Sequence, residues 1–196
     1  MTERKSVAVL GVKGLPGYGG SARANEKLLV RLQQEFDITV YALDTHADEN
    51  NYQGIKQIIF KSRLNKKLNS ILFFINSVFH ILFKAKYDII QLNHGVSGFI
   101  LPFVRLKYKK VVTTIRGLNF RNDDKWSLLE FYLLRLFEIV SFRLSAAIVT
   151  VQKSSLDEIQ KYTKNPILYI PNGVEDNFSV FQAIPKGPDL VFSAAR

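Results

Sequence analysis

The sequence predicts a doubly wound α/β domain, a parallel sheet with helices on both faces. Apolar runs bounded by turn residues recur along the 196 residues. Most are rich in Val and Ile and lack polar alternation, as strands buried on both faces do. Helical patterns lie between many of them, and strand alternating with helix implies parallel pairing.

In chain order, strands are expected at 7–12, 38–43, 57–60, 88–93, 111–115, 146–151 and 167–170. Helices are expected at 22–35, 67–85, 97–106, 126–144 and 154–163. The last opens Ser154-Ser155-Leu156-Asp157-Glu158, which supplies a cap and first-turn acids. Pro185, Gly187 and Pro188 then punctuate a linker, and Leu190-Val191-Phe192-Ser193-Ala194 reads as one more strand.

A composition of 47% hydrophobic and 22% charged residues permits a buried core and excludes disorder by composition. The absence of cysteine excludes disulfide scaffolds and thiolate metal sites, and fits a reducing compartment. Met1-Thr2-Glu3-Arg4-Lys5-Ser6 leads directly into a strand and does not read as a signal peptide. The net charge is +10, and it is segregated. Between Asn51 and Asn122 stand thirteen Lys or Arg and one acid, Asp88. Two readings stay open, an anion-attracting surface and a solvated basic face.

The stretch GVKGLPGYGGSARANEKLL, from Gly11 to Leu29, follows the first strand and enters the first helix. Glycines let backbone approach a phosphate, and N–H groups at a helix start point toward it. Gly17-Tyr18-Gly19-Gly20-Ser21-Ala22 fits the dinucleotide pattern G-x-G-x-x-A, with Asp44 placed as a ribose-binding acid. That pattern wants its first glycine immediately after the strand, whereas Lys13-Gly14-Leu15-Pro16 intervenes here. No Gly-Lys-Ser/Thr follows, which excludes a Walker loop. The expectation is a projecting ligand loop at the carboxyl edge of the sheet. The competing reading is a plain strand–helix turn.

GVKGLPGYGGSARANEKLLVRL resembles the opening of glycosyltransferase family 4, in particular its rhamnosyltransferase-like branch. YDIIQLNHGVSGFILPFVRLKYKKVVTTIRGLNFRNDDKW, LSAAIVTVQKSSLDEIQKY and ILYIPNGVE resemble family segments in the same order. The resemblance implies a GT-B architecture, two Rossmann-like domains facing across a cleft. This chain would be its N-terminal, acceptor-side half, with residues 1–180 the domain and 181–189 a linker. Residues 190–196 would be the first strand of a C-terminal donor-binding domain, and Arg196 would contact the donor diphosphate.

The resemblance also implies the site. Gly17, Tyr18, Gly19, Gly20, Ser21 and Arg23 would border donor diphosphate and acceptor, with Asn93, Asn172, Gly173 and Glu175 at the same cleft. Two positions depart from the family pattern: Arg116 stands where a His or Asp is common, and Asn119 where the branch often has an acid. Arg is no base at neutral pH, but its planar fork grips phosphate or carboxylate. Three readings stay open. In the first, the donor or acceptor itself carries an acid that Arg116 binds. In the second, the base is another residue, with His94, Asp123 and Asp124 the nearest candidates. In the third, the departing phosphate takes the acceptor proton, as expected of retaining enzymes. An ion pair at a strand end is the structural alternative for Arg116.

His94 follows a buried-looking strand and precedes Gly95, which suits a ligand-facing loop or a hydrogen-bonded structural residue. His80 shares a stripe with Asn76 and Lys84 and is expected on a solvated helix face. His46 carries no motif. The histidines lack metal-ligand spacing, so no metal or other cofactor is expected; the nucleotide-sugar donor is a substrate.

The apolar segment 71–83 is too short to span a bilayer and contains Asn76, Ser77 and His80. It is expected to cover the sheet, and that role is expected to account for its apolar face. Its basic flanks suit anionic headgroups. The expected partners are a nucleotide-sugar donor and a glycan or polyprenyl-linked acceptor, with an anionic membrane surface and without nucleic acid. The expected location is cytoplasmic, peripheral at the inner face of the cytoplasmic membrane. Two rival functions are a nicotinamide-dependent oxidoreductase domain and a non-catalytic basic binding module.

Overall fold

The computed structural model describes residues 4–118 and 127–173. The expected linker and last strand, with Asn119, Asp123, Asp124, Glu175 and Arg196, lie outside them.

The described chain folds as a doubly wound α/β domain around an eight-stranded sheet of order β3-β4-β2-β1-β5-β6-β7-β8. The strands are β1 (Lys5–Leu10), β2 (Phe36–Leu43), β3 (Asn51–Tyr52), β4 (Ile55–Phe60), β5 (Ile89–Leu92), β6 (Val111–Ile115), β7 (Ala147–Thr150) and β8 (Ile167–Tyr169). All neighbours pair in parallel except β3 with β4. The helices are α1 (Gly20–Leu32), α2 (Lys66–Phe79), α3 (Leu101–Val104), α4 (Leu128–Leu144) and α5 (Leu156–Gln160).

Strand periodicity sorts the core into two layers. Val7, Val9, Ile38 and Val40 pack with Leu29 of α1 on one face. Ala8, Leu10, Tyr41, Leu43, Ile90 and Leu92 pack with Phe73, Ile100 and Leu101 on the other. Parallel crossovers are right-handed, so reversing the direction of strand addition reverses the face on which helices lie. β1 to β2 runs one way and places α1 on the first face. β5 to β8 runs the other way, and α4 packs on the second face, where Phe142 meets Ile115 and Ile148. No helix among the described residues lies over β5, β6 and β7 on the α1 face.

Four local expectations are corrected. The strand expected at 57–60 begins at Ile55 and pairs with β3 through a Gln53-Gly54 turn. Both turn residues have positive φ, 48° and 90°, as a two-residue hairpin requires. The helix expected at 97–106 is a 3₁₀ segment, Gly95–Ile100, followed by the single turn of α3. The cause is close packing: a Cβ at Gly98 would fall 1.8 Å from the Phe137 carbonyl oxygen. Finally, α5 is preceded by a 3₁₀ turn, Lys153–Ser155, and lacks a side-chain cap. The helix expected from 126 starts at Leu128, fixed by a capping box between Ser127 and Glu130.

α2 continues into a π-helical turn, His80–Lys84. Its last carbonyls are met by the Lys107 ammonium, on Ile81, Leu82 and Ala85, and by the Tyr108 hydroxyl. His80 is not on a solvated face. Its Nδ1 is hydrogen-bonded to the Tyr41 hydroxyl at 2.9 Å. The sheet also fails to account for the apolar face of α2. Phe73, Ser77 and Ile81 point inward, while Ile71, Ile75, Phe79 and Phe83 point to solvent.

Candidate active site

The strand order turns back on itself between β1 and β5, and open α/β sheets bind ligands at the carboxyl end of such a switch point. Asn93 closes the crevice there. Its backbone N–H and its side-chain amide both donate to the Leu10 carbonyl, at 3.0 and 3.2 Å. Its Oδ1 is buried without a hydrogen-bond partner.

The glycine loop, residues 11–19, rises from β1 beside this crevice. Two side chains hold it. Gln57 of β4 is 2% exposed, and its amide pairs with Leu15 as a strand backbone would. Gln57 Oε1 accepts from Leu15 N–H at 2.8 Å, and Nε2 donates to the Leu15 carbonyl at 3.0 Å and to the Glu49 carbonyl at 2.9 Å. Glu26 of α1 accepts from the Gly17 N–H at 2.9 Å through one oxygen and from the Tyr52 hydroxyl at 2.5 Å through the other. The loop is thus fastened to α1 and to the β3–β4 hairpin together.

The glycines answer to different demands. Gly14 (φ +147°) is hemmed in by His46, whose carbonyl oxygen would lie 2.6 Å from an added Cβ. A Cβ at Gly17 would lie 2.5 Å from the carbonyl carbon and oxygen of Ala22. Both serve the fold. Gly20 is unlike them: nothing lies within 4 Å of its Cβ position, and its φ is ordinary. It opens α1, whose N-cap residue, Gly19, offers no side chain and whose first turn contains no acid. Neither a cap side chain nor a first-turn acid of α1 offsets the partial positive charge of that helix start.

Arg116 leaves the end of β6 and crosses toward α1. Its Nη2 donates to Asn25 Oδ1 at 2.6 Å and its Nη1 to Asn172 Oδ1 at 2.9 Å. Nε is buried without a partner. Both acceptors are neutral amides, and no acid among the described residues forms an ion pair with Arg116. Burial pulls its pKa down from the ordinary arginine value. The ion pair considered as its structural role is not formed with any described residue; among these, Arg116 is a hydrogen-bonded tie between α1 and the Pro171-Asn172-Gly173 turn.

Gly17, Tyr18, Gly20, Arg23, Arg116, Asn172 and Gly173 share the lining of one cavity of about 1170 Å³. Its floor is the bare half of the sheet, with Gln91, Val112, Thr114 and Val149, and its wall is α1. The polar groups gather at the carboxyl end. Gly19, Ser21, Asn93 and His94 flank the cavity without lining it. His94 is exposed at the surface, yet partial desolvation lowers its pKa, and Arg116 and Lys13 lower it further. A neutral imidazole is thereby favoured. Asp44 is directed elsewhere: its Oδ1 accepts from the Ser62 N–H at 2.9 Å, and it does not line the cavity. Among the described residues no cluster of three His, Asp or Glu could hold a metal ion. No described helix is long and apolar enough to cross a membrane.

Asn25, Glu26 and Gln57 were missed as site residues in the sequence. Each acts by reaching a residue distant along the chain, and only the folded topology reveals such a pairing.

A Rossmann-like domain of GT-B type, with a glycine loop facing a cationic strand end, is the class that this geometry defines. The family model for Glycosyltransferase Family 4 matches residues 18–178, and the chain belongs to that family. Sucrose-phosphate synthase from Thermosynechococcus elongatus is similar in structure, with a TM-score of 0.66 at 14% identity. That match covers 86% of this chain and 48% of the other. HepE from Anabaena, in complex with UDP and glucose, matches at TM-score 0.57 and 13% identity over 88% of this chain and 45% of its own. Arabidopsis thaliana UGT89C1, complexed with UDP-L-rhamnose, matches at 0.57 and 11% over 92% and 52%. The chain therefore spans about half the length of these three proteins. No curated protein sequence matches it.

Proposed function

We propose that the chain is the N-terminal, acceptor-side domain of a nucleotide-sugar-dependent, retaining glycosyltransferase of the rhamnosyltransferase-like branch, acting in polysaccharide or glycolipid synthesis. One observation carries the reading. Gly20, open on its Cβ side at an uncapped helix start, shares a cavity with Arg116, a cation with no acid partner among the described residues. Backbone N–H groups and a guanidinium lining one cavity suit a departing diphosphate, whose negative charge grows as the glycosidic bond to it breaks. The UDP and UDP-sugar held by the structural neighbours support a nucleoside diphosphate donor.

In this reading the bond from the sugar's anomeric carbon to the donor phosphate oxygen breaks, and one to the acceptor oxygen forms on the same face. The acceptor proton passes to the departing phosphate. Arg116 binds and orients that phosphate. His94, its pKa lowered, is the candidate to assist the acceptor hydroxyl. The donor half, with Arg196 at its start, completes the cleft.

The nicotinamide reading is the weaker one, because Asp44 is occupied by Ser62 rather than aimed at the cavity. The decisive experiment incubates the complete protein with radiolabelled nucleotide sugars and a polyprenyl-linked or glycan acceptor. Transfer with the anomeric configuration kept, and none by residues 1–196 alone, is the expected result. Transfer at a normal rate by residues 1–196 alone would contradict the two-domain reading. Binding of reduced nicotinamide cofactor without any transfer would replace it by the oxidoreductase.

A further inference from the structure

We propose that the outer face of α2 and α4 is a docking surface for an anionic lipid bilayer. The observation is an inverted helix. α2 turns Ser77 toward the sheet, where its hydroxyl donates to the Phe73 carbonyl at 2.7 Å, and turns Ile71, Ile75 and Phe79 to solvent. Phe83, in the π-helical turn, continues the stripe at 72% exposure. A helix of a folded domain ordinarily turns its apolar stripe to the core, yet this stripe is uncovered.

α4 repeats the pattern beside it. Leu129, Tyr132 and Leu136 face solvent at helical spacing. The two helices flank the 3₁₀ segment in one layer, linked by the ring contacts of Phe74 with Phe99 and of Phe99 with Phe137, at 5.4 and 5.5 Å. The two helices thus each carry a run of exposed large apolar residues rather than singly scattered ones.

Charge selects the occupant. α2 runs from the carboxyl edge of the sheet to the amino edge, so its stripe is bracketed by Lys61 and Arg63 at one end and by Lys84 and Lys86 at the other. Lys84 Nζ lies 5.9 Å from the Phe79 ring centre, so its stem lies along the stripe. Acids are kept away or occupied: Asp88 accepts from Ser6, Glu130 serves the cap of α4, and Glu138 is buried. An apolar stripe with cations at both ends and no free acid between them matches acyl chains beneath anionic headgroups. A second copy would bring these cations against one another. The inference does not depend on sugar transfer, because its readout is lipid contact alone.

The absence of cysteine makes the test clean. Ile75→Cys, with Leu72→Cys as a second position on the stripe, carries an environment-sensitive fluorophore. Gln34→Cys, at the end of α1 on the opposite face, is the control. Each is mixed with vesicles of phosphatidylcholine alone, or of phosphatidylcholine with phosphatidylglycerol. The stripe labels should shift to the blue only with phosphatidylglycerol, and the control should not shift. Lys84→Glu with Lys86→Glu should weaken binding roughly tenfold or more. No shift on anionic vesicles, or an equal shift at Gln34→Cys or on neutral vesicles, overturns the proposal. A shift without vesicles, accompanied by a doubled mass in sedimentation equilibrium, also overturns it and assigns the face to a second copy.

Discussion

Arg116 and Asn25, 91 residues apart in sequence, are joined by a 2.6 Å hydrogen bond from guanidinium to amide oxygen. The bond ties the end of a central strand to the helix that follows the glycine loop. Hydrogen bonds to charged groups contribute about 1.5–3 kcal/mol. A double-mutant cycle with Arg116→Met and Asn25→Ala should give a coupling of about 1–2 kcal/mol in urea unfolding. Arg116→Lys should rescue little of it, because an ammonium lacks the planar fork that reaches Asn25 and Asn172 together. Additive single effects would mean that the bond contributes nothing in solution.

Gly17 and Gly20 can be separated by one methyl group each. Gly17→Ala pushes a Cβ into the backbone of Ala22 and should destabilise the chain by about 2 kcal/mol or more. Gly20→Ala meets nothing, and its melting temperature should stay unchanged or rise slightly. In the complete protein Gly20→Ala should nevertheless slow sugar transfer, since the methyl occupies the place left for ligand. Full activity with Gly20→Ala would remove Gly20 from the site.

Gln57→Leu keeps the side-chain volume of a buried residue and removes three hydrogen bonds. The N–H and carbonyl of Leu15 would then be buried without partners, at about 2–4 kcal/mol of stability. Hydrogen exchange should show the Leu15 amide losing protection ahead of the amides of β1. Protection unchanged at Leu15 would show that Gln57 does not hold the loop.

The three histidines predict an acid-sensitive fold. Burial is the first cause lowering the pKa of His46, His80 and His94 below 6.5. The unfolded chain therefore binds protons first as the pH falls. Stability from these groups is fully present above the unfolded value and is lost as the pH falls through 6.5 toward the lower folded values. Asp44 and Asp88, lowered from 3.8 by hydrogen bonds from Ser62 and Ser6, lose theirs in a separate and more acid window. Urea midpoints across this range should show the first loss reduced in His80→Gln. A flat profile down to pH 5 would refute it.

The sheet was legible because each strand is an uninterrupted apolar run, and runs such as Val7-Ala8-Val9-Leu10 admit little else. Strand ends were less so. The first strand stops at Leu10 rather than residue 12 because Gly11 takes φ +84°, which no hydropathy pattern displays. The hairpin at Gln53-Gly54 escaped because β3 is only two residues long. At the site, the glycine loop and Arg116 stood out by residue type and position, and the structure brings them to one cavity. Their supports did not stand out. Gln57 resembles any polar residue at the start of a strand until Leu15 lies opposite it.

The double grip of Glu26 bears on how this domain can change. A hairpin at a sheet edge is ordinarily the freest place for a protein to lengthen, shorten or drift. Here the edge hydroxyl of Tyr52 and the loop amide of Gly17 share one carboxylate. An alteration at the rim is thereby transmitted to the mouth of the cavity, so Tyr52 and Glu26 should be inherited as a pair.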